Sequence, residues 1–177
     1  KDKTDKNYSE CIGKTYNFTL TGRGNLYADG WCTICLPFTI TKSEFETAIG
    51  SDTKLRELNA ISGSSFVFEK LADTEKTMVA GRPYLIMIDD ADATKTINLD
   101  DVSFGNRELV TINGAAISPN SDEYSFVGIL SATILKNDGT NLFMGAANKL
   151  FKPYADENKN GPICGGKAYF TIPNTTA

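Results

Sequence analysis

From Ile12 onward, short runs rich in Phe, Tyr, Val, Ile and Thr are separated by Gly, Asn and Asp. Within several runs apolar and polar side chains alternate with a period of two. Tyr16, Phe18 and Leu20 share one face, with Asn17 and Thr19 on the other; Phe66 and Phe68 share a face, as do Tyr124 and Phe126. Successive side chains on a strand point to opposite sides, so each row predicts a strand with its aromatics on a core and its polar groups in water. Pro83 to Ile88 is apolar throughout, which predicts a strand covered on both faces.

The punctuation between runs agrees with strands. Asn113-Gly114 and Asp138-Gly139 each sit between apolar runs, as in tight hairpins, and Asp29-Gly30 would turn the chain into Trp31. One helix is predicted. Thr41-Lys42-Ser43-Glu44 fits a capping box, and Phe45, Ala48 and Ile49 give an apolar stripe before Gly50. A second helical turn is expected at Thr53 to Leu58. The whole pattern predicts an all-β chain, a sandwich or jelly-roll-like set of antiparallel sheets with one short helix. Residues 12–177 are read as one domain, preceded by a charged, flexible N-terminal tether over residues 1–11.

At 177 residues, 41% of them hydrophobic and 23% charged, the chain can bury a sizeable core. Its net charge of −4, with scattered cations, argues against nucleic acid and anionic membrane as partners. No apolar stretch approaches the ~20 residues that span a bilayer. The chain starts at Lys1, and the expectation is that a leader was removed. There is no histidine, which removes Ser-His-Asp and Cys-His nucleophilic sites and the usual zinc enzymes. Catalysis would fall to carboxylates, Lys, Tyr and Cys. No pair of carboxylates stands out among the 22 acidic residues as a glycosidase would need.

Cys32 and Cys35 have the Cys-x-x-Cys spacing of redox sites, which require a helix start to lower a thiol pKa. Their flanks read as strand and Pro37 follows, so the two side chains should point to opposite faces as buried thiols. Four cysteines allow three full pairings. Cys11, at the tether junction, and Cys164, in a Gly-rich loop, form the expected bridge. Asp156-Glu157-Asn158-Lys159-Asn160-Gly161 matches the first half of a calcium loop, with Asp156, Asn158 and Asn160 as oxygen donors. Position twelve is Lys167 where a bidentate Glu is required, so a hydrated Asx-rich turn is expected instead. Asp89, Asp90, Asp92, Asp100 and Asp101 are read as the solvated ends of a hairpin. No cofactor is expected.

Four phrases in fixed order carry further information. They are Trp31-Cys32-Thr33-Ile34-Cys35-Leu36-Pro37-Phe38, Ala80-Gly81-Arg82-Pro83-Tyr84-Leu85-Ile86, the run from Asn141 to Leu150, and Lys167-Ala168-Tyr169-Phe170, with Phe126-Val127-Gly128 between the second and third. Their order and spacing resemble a secreted, all-β module of Bacteroidetes surface proteins, over roughly residues 13–173. The chain departs from that pattern at Cys164 to Lys167, where an Arg commonly precedes Ala-Tyr-Phe, and in the loop from Asp156 to Gly161. The resemblance brings no catalytic residues. It implies a non-catalytic module for adhesion or ligand binding, exported and held at the outer surface through the N-terminal tether. The implied partner is a host or dietary glycan or a surface protein, met as a monomer or within a larger surface assembly. Tyr27 and Tyr154, in Gly- or Asn-rich loops, are the candidate sugar-stacking residues. Alternative readings are an accessory or catalytic carbohydrate-active domain, and a structural subunit that pairs edge strands near Lys1–Leu20 or Lys167–Ile172. Trp31 and Phe38 are expected in the core.

Overall fold

The computed structural model describes residues 13–20, 25–27, 30–50, 53–71, 76–88, 96–98, 102–108, 116–117 and 124–174. At its centre is a four-stranded antiparallel sheet in the order β3 (Cys32–Cys35), β8 (Pro83–Ile88), β5 (Thr53–Ser62), β6 (Ser65–Lys70). The unbroken apolar run of β8 is explained by what covers it. Tyr84 and Ile86 belong to one hydrophobic cluster and Leu85 to another. β5 divides its side chains the same way, Leu55 to the first cluster and Leu58 to the second. Beyond Leu58 an extra residue, Asn59, interrupts the pairing with β6, and this bulge brings Ile61 back to the face of Leu58.

The first cluster is closed by a ribbon of β1 (Thr15–Leu20) and β10 (Val102–Glu108) together with α1 (Lys42–Ile49). Phe38 meets Phe18 edge-on at 4.8 Å and Phe104 at 5.6 Å, and Phe45 of the helix stacks on Phe104 at 5.7 Å. The helix starts as its sequence predicts. The Thr41 hydroxyl accepts from the Glu44 N–H at 3.2 Å while Glu44 Oε2 accepts from the Thr41 N–H at 3.0 Å. Such a reciprocal cap satisfies two backbone donors that helix geometry leaves open. Arg107 of β10 donates to Glu44 at 3.2 Å and ties ribbon to helix. The aromatic row of β1 buries unevenly. Phe18 is inside, whereas Tyr16 lies opposite Arg107 toward the ribbon's end and is 39% exposed. The Leu20 side chain lies outside the described residues.

The second cluster is closed by a five-stranded sheet in the order β11 (Ala116–Ile117), β12 (Ser125–Ile129), β15 (Lys167–Thr171), β13 (Asn141–Met144), β14 (Leu150–Phe151). Phe126 and Phe170 stack at 4.6 Å, and Phe68 and Phe66 approach them edge-on at 5.3 and 5.0 Å. Pairs of this kind add ~0.5–1.5 kcal/mol each beyond their buried area. Two short ladders complete the described strands: β2 (Asn25–Tyr27) with β9 (Thr96–Asn98), and β4 (Ile40–Thr41) with β7 (Thr77–Met78). The chain is thus an all-β sandwich with a single short α-helix among the described residues.

Three local expectations are corrected. Thr53 to Leu58 opens β5 rather than a helical turn. Thr53, Leu55 and Glu57 bury on alternate positions, and that period of two prevails over local propensity. Asp138-Gly139 does not join two strands, because the residues before it are irregular. Instead Asp138 accepts from the N–H and hydroxyl of Thr140 at 2.9 and 2.6 Å, an Asx turn that leads into β13. Lys167 to Thr171 is not an edge, since β12 and β13 flank it on either side. Asn113-Gly114, Asp29, the Asp89–Asp101 cluster and the tether lie outside the described residues.

Candidate binding cavity

Residues from several of the apolar phrases of the sequence meet around β3. Leu36 and Pro37 leave the strand through a bend, and the Gly81 N–H donates to the Leu36 carbonyl at 2.7 Å. Gly81 has φ 76°, a left-handed conformation that glycine adopts without strain. Its carbonyl accepts from the buried Cys35 thiol at 3.1 Å. Gly128 of β12 packs on the same spot; a Cβ there would lie 2.6 Å from Cys35 Sγ and 2.7 Å from the Gly81 carbonyl oxygen. Cys32 sits on the opposite side of β3, against the first cluster. The two cysteines thus point to opposite faces, which is incompatible with a shared bridge or metal.

Thr33 closes a gap between the sheets. The β13–β15 ladder ends at the pair Leu142–Phe170, and beyond it β13 parts from β15. Continued pairing would have set Met144 against Ala168. The Ala168 N–H donates instead to the Thr33 hydroxyl at 3.0 Å, which itself donates to the Ala168 carbonyl at 3.1 Å. One buried side chain therefore replaces a strand neighbour and satisfies both backbone groups. In the turn between β13 and β14, Asn148 with φ 58° accepts from the Trp31 N–H at 2.7 Å through Oδ1. Trp31 is half-buried at the border of the second cluster, under the Arg56 guanidinium at 5.3 Å. Phe38 is fully in the core at 1% exposure.

Where β13 parts from β15, a cavity of about 340 Å³ opens. Thr33 and Ala168 form part of its lining; Leu135, Phe143, Pro153 and Ile163 supply apolar wall. Phe143 is backed by Phe151 of β14, stacked at 6.0 Å. Gly145 makes that stack fit, since a Cβ would lie 2.7 Å from the Phe151 ring. Tyr154 stands at the rim, 64% exposed. Asn160 grips its backbone, accepting from the Tyr154 N–H at 2.7 Å and donating to the Tyr154 carbonyl at 2.9 Å. The tyrosine ring is thus presented to water on an anchored stretch of backbone. Lys159, Lys167 and Cys164 also line the cavity, while among the described residues no Asp or Glu does.

The structure brings several sequence candidates to one place. Tyr154, Asn160 and Cys164 meet at this cavity, and Asp156 and Asn158 lie in the rim loop beside it. The calcium-loop oxygens engage in local bonds: Asp156 Oδ1 accepts from the Asn158 N–H and side-chain amide at 3.2 Å each, and Asn160 holds Tyr154. Among the described residues no three His, Cys, Asp or Glu side chains gather as a metal site would need. Cys11 lies outside the described residues, and so does its expected bridge to Cys164. Tyr27 ends β2 opposite Thr96, with its side chain outside the described residues. Phe143, Pro153, Lys167 and the backing Phe151 were not anticipated at a site. The signal for Phe151 and Pro153 was Leu150-Phe151-Lys152-Pro153, an apolar pair halted by proline as on an edge strand; Phe143 and Lys167 had none.

Three groups near these elements have shifted ionisation. Burial pushes the Tyr84 phenol up, and its oxygen accepts from the Val79 N–H at 2.9 Å. Burial also raises Tyr169, and the Asp138 carboxylate adds to that. Hydrogen bonds from Thr140, its hydroxyl foremost, hold the Asp138 carboxyl below the ordinary range. None of the three lines the cavity. Comparison with known protein families, curated proteins and solved structures finds no match to this chain. Among the described residues no helix is long and apolar enough to cross a membrane.

Proposed function

We propose that this chain is a non-catalytic binding module of an exported Bacteroidetes surface protein, and that it holds a glycan at the cavity rimmed by Tyr154. The observation that carries this reading is an aromatic ring 64% exposed beside a preformed cavity, on backbone fixed by Asn160. Exposed aromatics normally cost solvation, and one on an anchored backbone has less entropy to lose when a ligand stacks on it. The cavity volume lies at the lower end of the ~300–1,000 Å³ range of small-molecule sites. A lining without carboxylates among the described residues favours holding a sugar over cleaving it. The four ordered phrases support the exported, surface-held setting, with residues 1–11 as the tether.

The test is a glycan array probed with the purified chain and with Tyr154→Ala. Specific binding that falls at least about tenfold in the variant, a loss of ~1.4 kcal/mol, supports the reading. A blank array, or binding indifferent to Tyr154, overturns it.

A further inference from the structure

The lining of the Tyr154 cavity is layered by depth. Thr33, Leu135, Pro153 and Ala168 are themselves buried and make its floor, whereas Tyr154 and Lys159 are exposed and stand at the rim. The floor is apolar in effect. Leu135, at 6% exposure, presents only hydrocarbon, and Pro153 has no backbone N–H. The hydroxyl of Thr33 gives its proton to the Ala168 carbonyl and accepts from the Ala168 N–H. Half-buried Phe143 and Ile163 continue the apolar surface upward. The two levels therefore ask different things of a ligand. A sugar hydroxyl at the rim keeps its contact with water, but one pressed on the floor gives up water and meets no uncommitted donor among the floor side chains. A methyl group has the reverse balance, since it gains by leaving water for hydrocarbon.

Resting on the proposal that a sugar stacks at Tyr154, we infer that the cavity selects 6-deoxyhexoses, with the ring on Tyr154 and the exocyclic methyl on the Leu135 floor. In such a sugar the methyl stands directly on the ring carbon next to the ring oxygen, and the ring hydroxyls remain for the rim. An ordinary hexose of the same configuration places a hydroxymethyl group there, and its oxygen would be stranded over Leu135. An N-acetyl sugar also carries a methyl, but behind an amide whose N–H and carbonyl both need partners inside the cavity. The selection is by hydration rather than by charge, so added salt leaves it in place.

The experiment is an array on which oligosaccharides ending in a 6-deoxyhexose stand beside those ending in the 6-hydroxy sugar of the same configuration, with N-acetylhexosamine ends as a third set. It is probed with the wild-type chain, with Leu135→Asn and with Ile163→Thr. The expected result is binding of 6-deoxy ends about tenfold tighter than either other set, a gap that is the same at low and high salt. Leu135→Asn and Ile163→Thr each set a polar group on the apolar surface and should narrow it. Circular dichroism checks that Leu135→Asn still folds. Ile163 is half-buried and bridges to Thr133 through its backbone, so its variant tests the surface without removing a core side chain. A gap that both folded variants leave at full size overturns the placement of the methyl on this floor. Equal, Tyr154-dependent binding of 6-deoxy and 6-hydroxy ends, or tighter binding of N-acetyl ends, overturns the selectivity and leaves the glycan reading standing. Absence of binding to all three sets overturns both.

Discussion

Strand β3 and the 153–164 segment border the same cavity on opposite terms. On β3, Thr33 is 6% exposed and Cys35 0%, and their polar atoms bond to Ala168 and Gly81, far away in sequence. In the segment, Tyr154 is 64% exposed, and its backbone is held by Asn160, six residues on. The first region joins the two sheets, and a change there must disturb both. The second is braced by local bonds and by a backbone bridge from Ile163 to Thr133, neither of which uses its outward side chains, so these can vary without loss of fold. The same division appears in the sequence, where β3 lies in the largely apolar run from Trp31 to Phe38 while Asp156 to Gly161 is made of polar residues and glycine. Stability and presentation occupy neighbouring but separable residues.

Substitutions under and on β3 should cost stability in a definite order. Phe126→Ala removes a ring stacked on Phe170 and met edge-on by Phe68; urea unfolding should show a loss of about 3–5 kcal/mol. Thr33→Val keeps the shape but leaves the Ala168 N–H and carbonyl without their partner. A loss of about 2–4 kcal/mol is expected, and a loss under ~0.5 kcal/mol would mean that the hydroxyl does not join the sheets. Gly128→Ala forces a methyl against Cys35 Sγ and the Gly81 carbonyl, with an expected loss of about 1–3 kcal/mol. Combining it with Cys35→Ala should recover part of that loss, because one of the two clashing groups is then gone.

The smallest effect concerns pH. The backbone N–H of Thr41, followed by its hydroxyl, holds the Glu44 carboxyl below the ordinary range, and Thr140 does the same for Asp138. A carboxyl with its pKa lowered by folding takes up its proton more readily in the unfolded chain. Its contribution is therefore complete above the unfolded pKa and is lost as pH falls through the folded value. Melting temperature should be flat from neutral pH down to about 5 and decline below about 4. Glu44→Gln should lower the plateau slightly and soften the decline, since the neutral amide cannot lose charge.

Much of the fold was legible because period and punctuation agreed. The capping box at Thr41 and Glu44, the doubly covered Pro83–Ile88 strand and the Phe66–Phe68 row all follow from local chemistry that packing reinforces. Thr53 to Leu58 misled because Leu55 and Leu58 stand three apart, a spacing that suits a helical face, and only the place of the segment between β8 and β6 decides. Asp138-Gly139 misled because the same dipeptide serves a hairpin or an Asx turn. Tyr154 could be found from its polar surroundings. Phe143, Lys167 and Thr33 could not, because the cavity exists only where β13 leaves β15, and that divergence is a property of the ladder rather than of any one residue. Lys167 carried a second disguise, as the position that fails the calcium-loop pattern.

The most direct measurement is a paired one on Tyr154→Ala: its thermal unfolding, and its titration with the best-binding glycan of the wild-type chain. Separable presentation predicts a stability within about 0.5 kcal/mol of wild type together with binding weakened at least about tenfold. A variant that binds as well as wild type, or that loses affinity only in step with its fold, would contradict the assignment of this rim as the binding surface.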